Sequence, residues 1–147
     1  MCFFAPLCGY IPELMNKRTL IRMASAAAKK AYCPYSKFRV GVALLTSNGK
    51  IFTGCNVENA SYGLTICAER AAFSAAVAAG HRKFKAIAIV ANGTSVPYPC
   101  GACRQVMSEF CTSNFTVICA PLASPGKSEE LTLGALLPKN FQMKGRK

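Results

Sequence analysis

Apolar residues fall in two rhythms along this chain. From about Leu14 to Ala31, the residues Leu20, Met23, Ala24, Ala27 and Ala31 recur at helical spacing with lysines and arginines between them, which predicts an amphipathic first helix. Cys33-Pro34-Tyr35-Ser36 breaks it. Phe38 to Leu45 then reads as a strand that turns at Ser47-Asn48-Gly49 into a second strand, Ile51 to Val57, so the pair predicts a hairpin. Asn56 to Thr65 is polar and predicts a loop. Cys67 to Ala79 is alanine-rich and stops at Gly80, the pattern of a helix with a glycine terminator. Ala86 to Val90 is a short unbroken apolar run, as in a strand buried on both faces. A loop punctuated by Pro97 and Pro99 follows, then a helix from Gly101 to Cys111 and a buried strand from Phe115 to Ala120. Ser124-Pro125-Gly126-Lys127 is a turn, Glu130 to Thr132 predicts a last short strand, and Leu133 to Leu137 predicts one helical turn stopped by Pro138. Strand and helix alternate after the hairpin. The expectation is an α/β fold, a three-layer α/β/α sandwich around a mixed five-stranded sheet.

Composition narrows the class. A chain of 147 residues with 52% hydrophobic and 16% charged residues can bury one core without a covalent staple. Nine cysteines would suggest a disulfide scaffold in a small secreted chain, but the number is odd and the core suffices, so reduced thiols and a cytoplasmic setting are expected. Met1 to Pro12 is apolar yet lacks a basic start, holds Pro6 and Pro12 and is too short to span a bilayer, which argues against a signal peptide and a membrane anchor. Lys17 to Lys30 is basic, contains serine and lacks acids; it fits a mitochondrial leader, but also a helix of the mature protein. The net charge of +12 invites a nucleic-acid partner. Its distribution argues against one: the cations sit at Lys17-Arg18, Lys29-Lys30, Arg82-Lys83 and in the tail, with no aromatic-interleaved stripe to stack bases, so a solvated face is the simpler reading.

The chemistry concentrates in two short motifs, Cys67-Ala68-Glu69 and Pro99-Cys100-Gly101-Ala102-Cys103. A lone Cys-x-x-Cys can be a redox pair, part of a structural zinc site, or core packing. A redox pair needs neither a third cysteine nor an acid. A structural site needs a fourth ligand, and the lone His81 lies in the polar Gly80-His81-Arg82-Lys83 turn. Three thiolates leave one position of a tetrahedral Zn²⁺ open for water, whose pKa the metal brings toward neutrality, and Glu69 can then move protons. Both groups fall where the chain enters a helix. Cys100 and Cys103 share a helical face, whereas Cys67 and Glu69 are two apart and converge only if Cys67 precedes the first regular turn. Zinc with three thiolates has a formal charge of −1; two helix N-termini and Arg70 would offset it. Cys111 and Cys119 lie on apolar faces and read as packing.

The chain resembles the cytidine deaminases of free nucleosides. The resemblance runs through Tyr35-Ser36-Lys37-Phe38-Arg39-Val40-Gly41, Gly54-Cys55-Asn56-Val57-Glu58-Asn59-Ala60-Ser61-Tyr62, Cys67-Ala68-Glu69-Arg70, Pro99 to Gln105, and Leu136-Leu137-Pro138-Lys139-Asn140-Phe141. It covers about Leu14 to Phe141, which leaves residues 1–13 as an extension and 142–147 as a basic tail. It implies one Zn²⁺ per chain held by Cys67, Cys100 and Cys103, with Glu69 as proton shuttle in the hydrolytic deamination of cytidine and deoxycytidine. It further implies that Asn56 and Glu58 contact ribose, Phe38 packs against the pyrimidine, a backbone N–H near Ala68 holds the base carbonyl, and Arg70 hydrogen-bonds a ligand sulfur. Without the resemblance, Asn56 and Glu58 read as an ordinary polar loop and Phe38 equally as a core strand residue. In the small-chain branch the enzyme is a homotetramer, and Ala60, Tyr62 and Phe141 match positions that reach a neighbour's substrate. The segment Leu122 to Glu130 is shorter and more irregular than the family's final hairpin, which leaves the sheet edge open. Rival readings are a deaminase of a nucleoside antibiotic or modified base, a deaminase of bases within RNA or DNA, and a zinc-stabilised binding module with Glu69 incidental.

Overall fold

The computed structural model describes residues 16–143, so the extension 1–13, Leu14 at the start of the expected first helix, and residues 144–147 of the tail lie outside the described residues. Helix α1 (Lys17–Ala28) begins where the Asn16 side chain caps it, accepting a hydrogen bond from the Thr19 N–H at 3.1 Å. It stops at Ala28 rather than Ala31. The reason is tertiary: Tyr32 is drawn into a bridge, donating its N–H to the Asn56 carbonyl at 3.0 Å and accepting from the Glu58 N–H at 2.8 Å.

Strand β1 (Val40–Thr46) and strand β2 (Ile51–Cys55) form the expected hairpin, with Gly49 in the left-handed region at φ 86°. Both strands are trimmed at the same end. Asn56 turns its side chain inward, where Nδ2 donates to the Phe38 carbonyl at 2.8 Å and Oδ1 accepts from the Val40 N–H at 2.8 Å. A side chain thus replaces the ladder there, and Val57 keeps only single bridges to Tyr32 and Ile66. The expected polar loop therefore contains a bridge as well as a 3₁₀ turn at Tyr62–Leu64.

Helix α2 (Ala68–Ala78), strand β3 (Phe84–Ala91), helix α3 (Gly101–Phe110) and strand β4 (Thr116–Pro121) follow in order, within a residue or two of their predicted limits. The irregular stretch after β4 resolves into a 3₁₀ turn, Pro125–Lys127, and strand β5 (Glu129–Thr132), and the chain then makes the short helix α4 (Leu133–Leu136). The sheet order is β2-β1-β3-β4-β5; β3 and β4 are parallel and the other neighbours antiparallel. The mixed five-stranded α/β sandwich expected from the sequence is present.

Alternation along the central strands divides the core in two. Val42, Leu44, Ile87, Ile89, Val117 and Cys119 face α2 and α3, packing with Ala72, Phe73 and Met107. Ala43, Leu45, Ala86, Ala88, Val90, Ile118 and Ala120 face α1, packing with Leu20, Ile21 and Ala24. On the first side Phe73 of α2, Phe84 of β3 and Phe110 of α3 meet with ring centroids 4.9, 5.7 and 6.0 Å apart. Such pairs contribute about 0.5–1.5 kcal/mol each beyond area burial and fix the two helices side by side.

Close approach is made possible by small residues. A Cβ on Gly41 would stand 2.1 Å from the Ala24 carbonyl oxygen, and one on Gly54 would stand 2.3 Å from the Ala68 carbonyl oxygen and 2.8 Å from the Ala72 nitrogen. Gly54 therefore sets how deeply the first turn of α2 sits on β2. Gly54→Ala is expected to cost about 1–3 kcal/mol by overpacking, read as a lower urea midpoint at unchanged slope, and to weaken metal retention at the start of α2. An unshifted midpoint would show that the helix does not rest on this backbone.

Candidate metal centre and catalytic cavity

Cys67 and Cys100 are the capping residues of α2 and α3, each in extended backbone, and neither sulfur caps its own helix. Cys67 therefore precedes the first regular turn, as the convergence with Glu69 requires. Cys103 lies one turn into α3 and is fully buried, whereas Cys100 is exposed. The three sulfurs lie within 4.8 Å of one another. Zn–S bonds of about 2.3 Å in tetrahedral geometry need sulfurs roughly 3.8 Å apart, so this donor set fits zinc with small side-chain adjustments.

The electrostatics of the group are those of a shared positive charge. A hydrogen bond from Cys103, with further help from Arg70, holds Cys67 down to about 5 from the ordinary 9.0, against the opposing effect of burial. The Cys103 thiol is correspondingly pushed up, first by that same bond and then by burial. Arg70 Nη2 donates to the Thr65 carbonyl at 2.7 Å and reaches Cys67 Sγ at 3.8 Å, which couples the loop before α2 to the ligand sulfur. Cys119 and Cys111, by contrast, are pushed up to about 12, chiefly by burial, and belong to the core as their apolar faces suggested.

Glu69 is 6% exposed on the second residue of α2, and burial raises its carboxyl above the ordinary 4.5. A raised pKa makes the carboxylate a better base for accepting a proton. It lines a cavity of about 330 Å³ together with Cys67, Cys100, Ala68, Phe38, Asn56 and Glu58. Ala68 occupies the first helical position, whose N–H has no partner inside the helix.

Glu58 has structural work of its own. It accepts hydrogen bonds from the backbone N–H groups of Tyr35 and Ser36, at 2.9 and 3.2 Å, and from the Ser36 hydroxyl. The Ser36 hydroxyl foremost, with the two N–H groups, holds its carboxyl below the ordinary value against the pull of burial. Lys37 beside it takes a left-handed conformation at φ 57°, and Asn92 clamps the same turn through the Lys37 carbonyl at 2.9 Å and the Arg39 N–H at 2.9 Å.

Ala60, Tyr62 and Phe141 do not join this cavity; they are exposed, Tyr62 at 64% and Phe141 at 72%. Residues that the motifs do not single out do join it. Tyr98, Pro97, Thr65, Ser36, Val40 and Ile89 complete the wall. Arg104 supports it from behind, its Nε donating to the Pro99 carbonyl at 2.7 Å and its Nη1 to the Leu136 carbonyl at 3.0 Å, while Gln105 Nε2 donates to the Phe141 carbonyl at 2.9 Å. Their place directly after Cys103 was the available signal. A larger hollow of about 590 Å³ lies apart, between the end of α3 and α4; Leu137, Pro138 and Asn140 line it, but none of the expected metal, catalytic or substrate residues does.

Replacing Cys100 with Ala is expected to release zinc and lower the melting temperature, because a thiolate site couples metal binding to folding. Stoichiometric zinc by elemental analysis in that variant would show the ligand set to be wrong.

Residues 15–119 match the family model for the cytidine and deoxycytidylate deaminase zinc-binding region. The chain is 49% identical over 127 residues to the cytidine deaminase of Sporosarcina psychrophila, a match covering 86% of this chain and 92% of that one. It is 54% identical over 110 residues to the probable cytidine deaminase of Dictyostelium discoideum, covering 71% and 73%. The fold superposes on the crystal structure of cytidine deaminase from Burkholderia pseudomallei with a TM-score of 0.82 and 50% identity, over 86% of this chain and all of the other.

Proposed function

The chain belongs to the cytidine and deoxycytidylate deaminase family, and on that premise we propose that it hydrolyses cytidine and deoxycytidine to uridine and deoxyuridine with release of ammonia. The observation that carries the proposal is a group of three converging sulfurs, two of whose residues line one cavity together with the buried Glu69. Cys67, Cys100 and Cys103 would hold one Zn²⁺. The ion supplies Lewis acidity, which makes water a usable nucleophile near neutral pH. Glu69 takes one proton from the attacking water, delivers it to ring N3 as the new C4–O bond forms, and carries the remaining proton of the C4 hydroxyl to the amino nitrogen as the C4–N bond breaks. Water and cytidine are thereby converted to uridine and ammonia with no other reactant.

The remaining walls orient the nucleoside. Phe38 offers a ring face to the pyrimidine, and the unpartnered N–H at Ala68 suits the base carbonyl. Asn56 and Glu58 would contact the ribose with the hydrogen-bonding capacity left after their loop contacts, since a carboxylate has about four acceptor sites and an amide nitrogen two donors. Arg70 steadies the Cys67 sulfur. We take residues 14–141 as one catalytic domain, in keeping with a single sheet and its two helical layers.

Assembly and setting follow the same reading. Tyr62 and Phe141 are large, exposed and outside the cavity of their own chain. With Ala60, we assign them to the completion of a neighbour's site in a homotetramer. Among the described residues every cysteine is free and no helix is long and apolar enough to cross a membrane. A reducing compartment, the cytoplasm, suits such thiols.

Turnover is read by the absorbance change from cytidine to uridine; zinc-loaded, folded protein that leaves cytidine untouched overturns the proposal. Glu69→Gln is expected to retain zinc and lose activity by roughly 10²–10⁴-fold, and full activity in that variant would remove the shuttle role. Light scattering should give four times the chain mass. A fully active monomer would exclude shared sites.

A further inference from the structure

Tyr98 is a large side chain at a position that no motif explains. Its segment is extended: Pro99 is buried, while Tyr98 and Cys100, two residues apart, both line the catalytic cavity. Alternate residues of an extended chain point the same way. The Tyr98 ring therefore lines the cavity on the side of Cys100. Its hydroxyl does not serve the cavity. It donates to Glu129 Oε2 at 2.6 Å, on the edge strand β5, and Glu129 is not part of the lining. That hydrogen bond raises the Tyr98 pKa, so the phenol stays protonated and the contact persists into alkaline solution. The ring is thus 49% exposed yet anchored at its far end while its residue lines the cavity.

The same cavity is lined from α2 by Glu69. Within the deaminase reading, on which this step rests, ring N3 must face Glu69 to receive its proton. C4 lies between N3 and C5, so C5 points away from Glu69. We propose that Tyr98, held by Glu129, is a specificity-determining wall that limits the size of the substituent a pyrimidine nucleoside can carry at C5. The ligand class it governs is 5-substituted cytidines. Tyr98 is a shape contact and makes no hydrogen bond to the base.

The test compares kcat/KM for 5-iodocytidine with that for cytidine. Tyr98→Ala is expected to raise the ratio about tenfold or more, the scale on which an apolar wall discriminates. Tyr98→Phe keeps the ring but loses its anchor and raises the ratio less. Glu129→Ala should match Tyr98→Phe, and Glu129→Gln, which retains an acceptor oxygen, should restore the wild-type ratio. A ratio unchanged in Tyr98→Ala overturns the proposal. Should that variant fail to fold, Tyr98→Leu, which also removes ring area, decides by the same criterion. Affinities of the zinc-loaded protein for 5-iodouridine and uridine measure the wall without turnover. A wild-type protein inactive on cytidine would count against the deaminase reading, while the change in that binding ratio on Tyr98→Ala still decides the role of Tyr98.

Discussion

Three sulfurs within 4.8 Å of one another form a charge problem that the rest of the structure answers. Were all three ionised, each pair would repel by on the order of 3 kcal/mol at an effective dielectric near 20. Two helix N-termini contribute about 0.3–1 kcal/mol each at ordinary sites, and the Arg70 contact at 3.8 Å adds a further modest term. These do not balance three repulsions. A dication does, whereas the hydrogen bond between Cys103 and Cys67 only pulls one thiol down as it pushes the other up. The magnitudes assign the protein groups a tuning role and leave the main neutralisation to the metal.

Bringing the sulfurs together is a packing problem before it is a chemical one. α2 and α3 start side by side because both lie on one face of the sheet, and because the Phe73, Phe84 and Phe110 rings fix their separation. The depth of α2 is set by the missing side chain at Gly54. The position of the loop that delivers Cys100 is set from the opposite side, by Arg104 on the Pro99 carbonyl. Site geometry is thus distributed over residues that never touch a substrate.

Much of this could be read along the chain because it depends on local pattern. The apolar stretch of β1 ahead of its Ser47-Asn48-Gly49 turn and the unbroken runs of β3 and β4 gave the central strands, and the two cysteine motifs gave helix starts as well as donors. Boundaries failed where a distant partner intervened. α1 ends early because Tyr32 pairs with Asn56 and Glu58, and β1 starts late because Asn56 takes the Phe38 carbonyl. No window of sequence contains both members of these pairs. Tyr98 was illegible for a similar reason: its significance depends on Glu129, on a strand whose limits the sequence left uncertain. Asn56 and Glu58 stood out only through resemblance, and their bracing of the Tyr35–Phe38 turn had no sequence signal at all.

That bracing bears on how quickly the cavity can recognise its ligand. A flexible glutamate loses about 1.5–2 kcal/mol of rotamer freedom when a contact fixes it. Glu58 has already lost that freedom during folding, to two N–H groups and a hydroxyl. Under the proposed function, a sugar hydroxyl arriving at its remaining lone pairs meets a stationary acceptor. Encounter then needs no prior rearrangement of this wall, and differences in affinity among ligands that differ only at the sugar will be expressed in how long they stay.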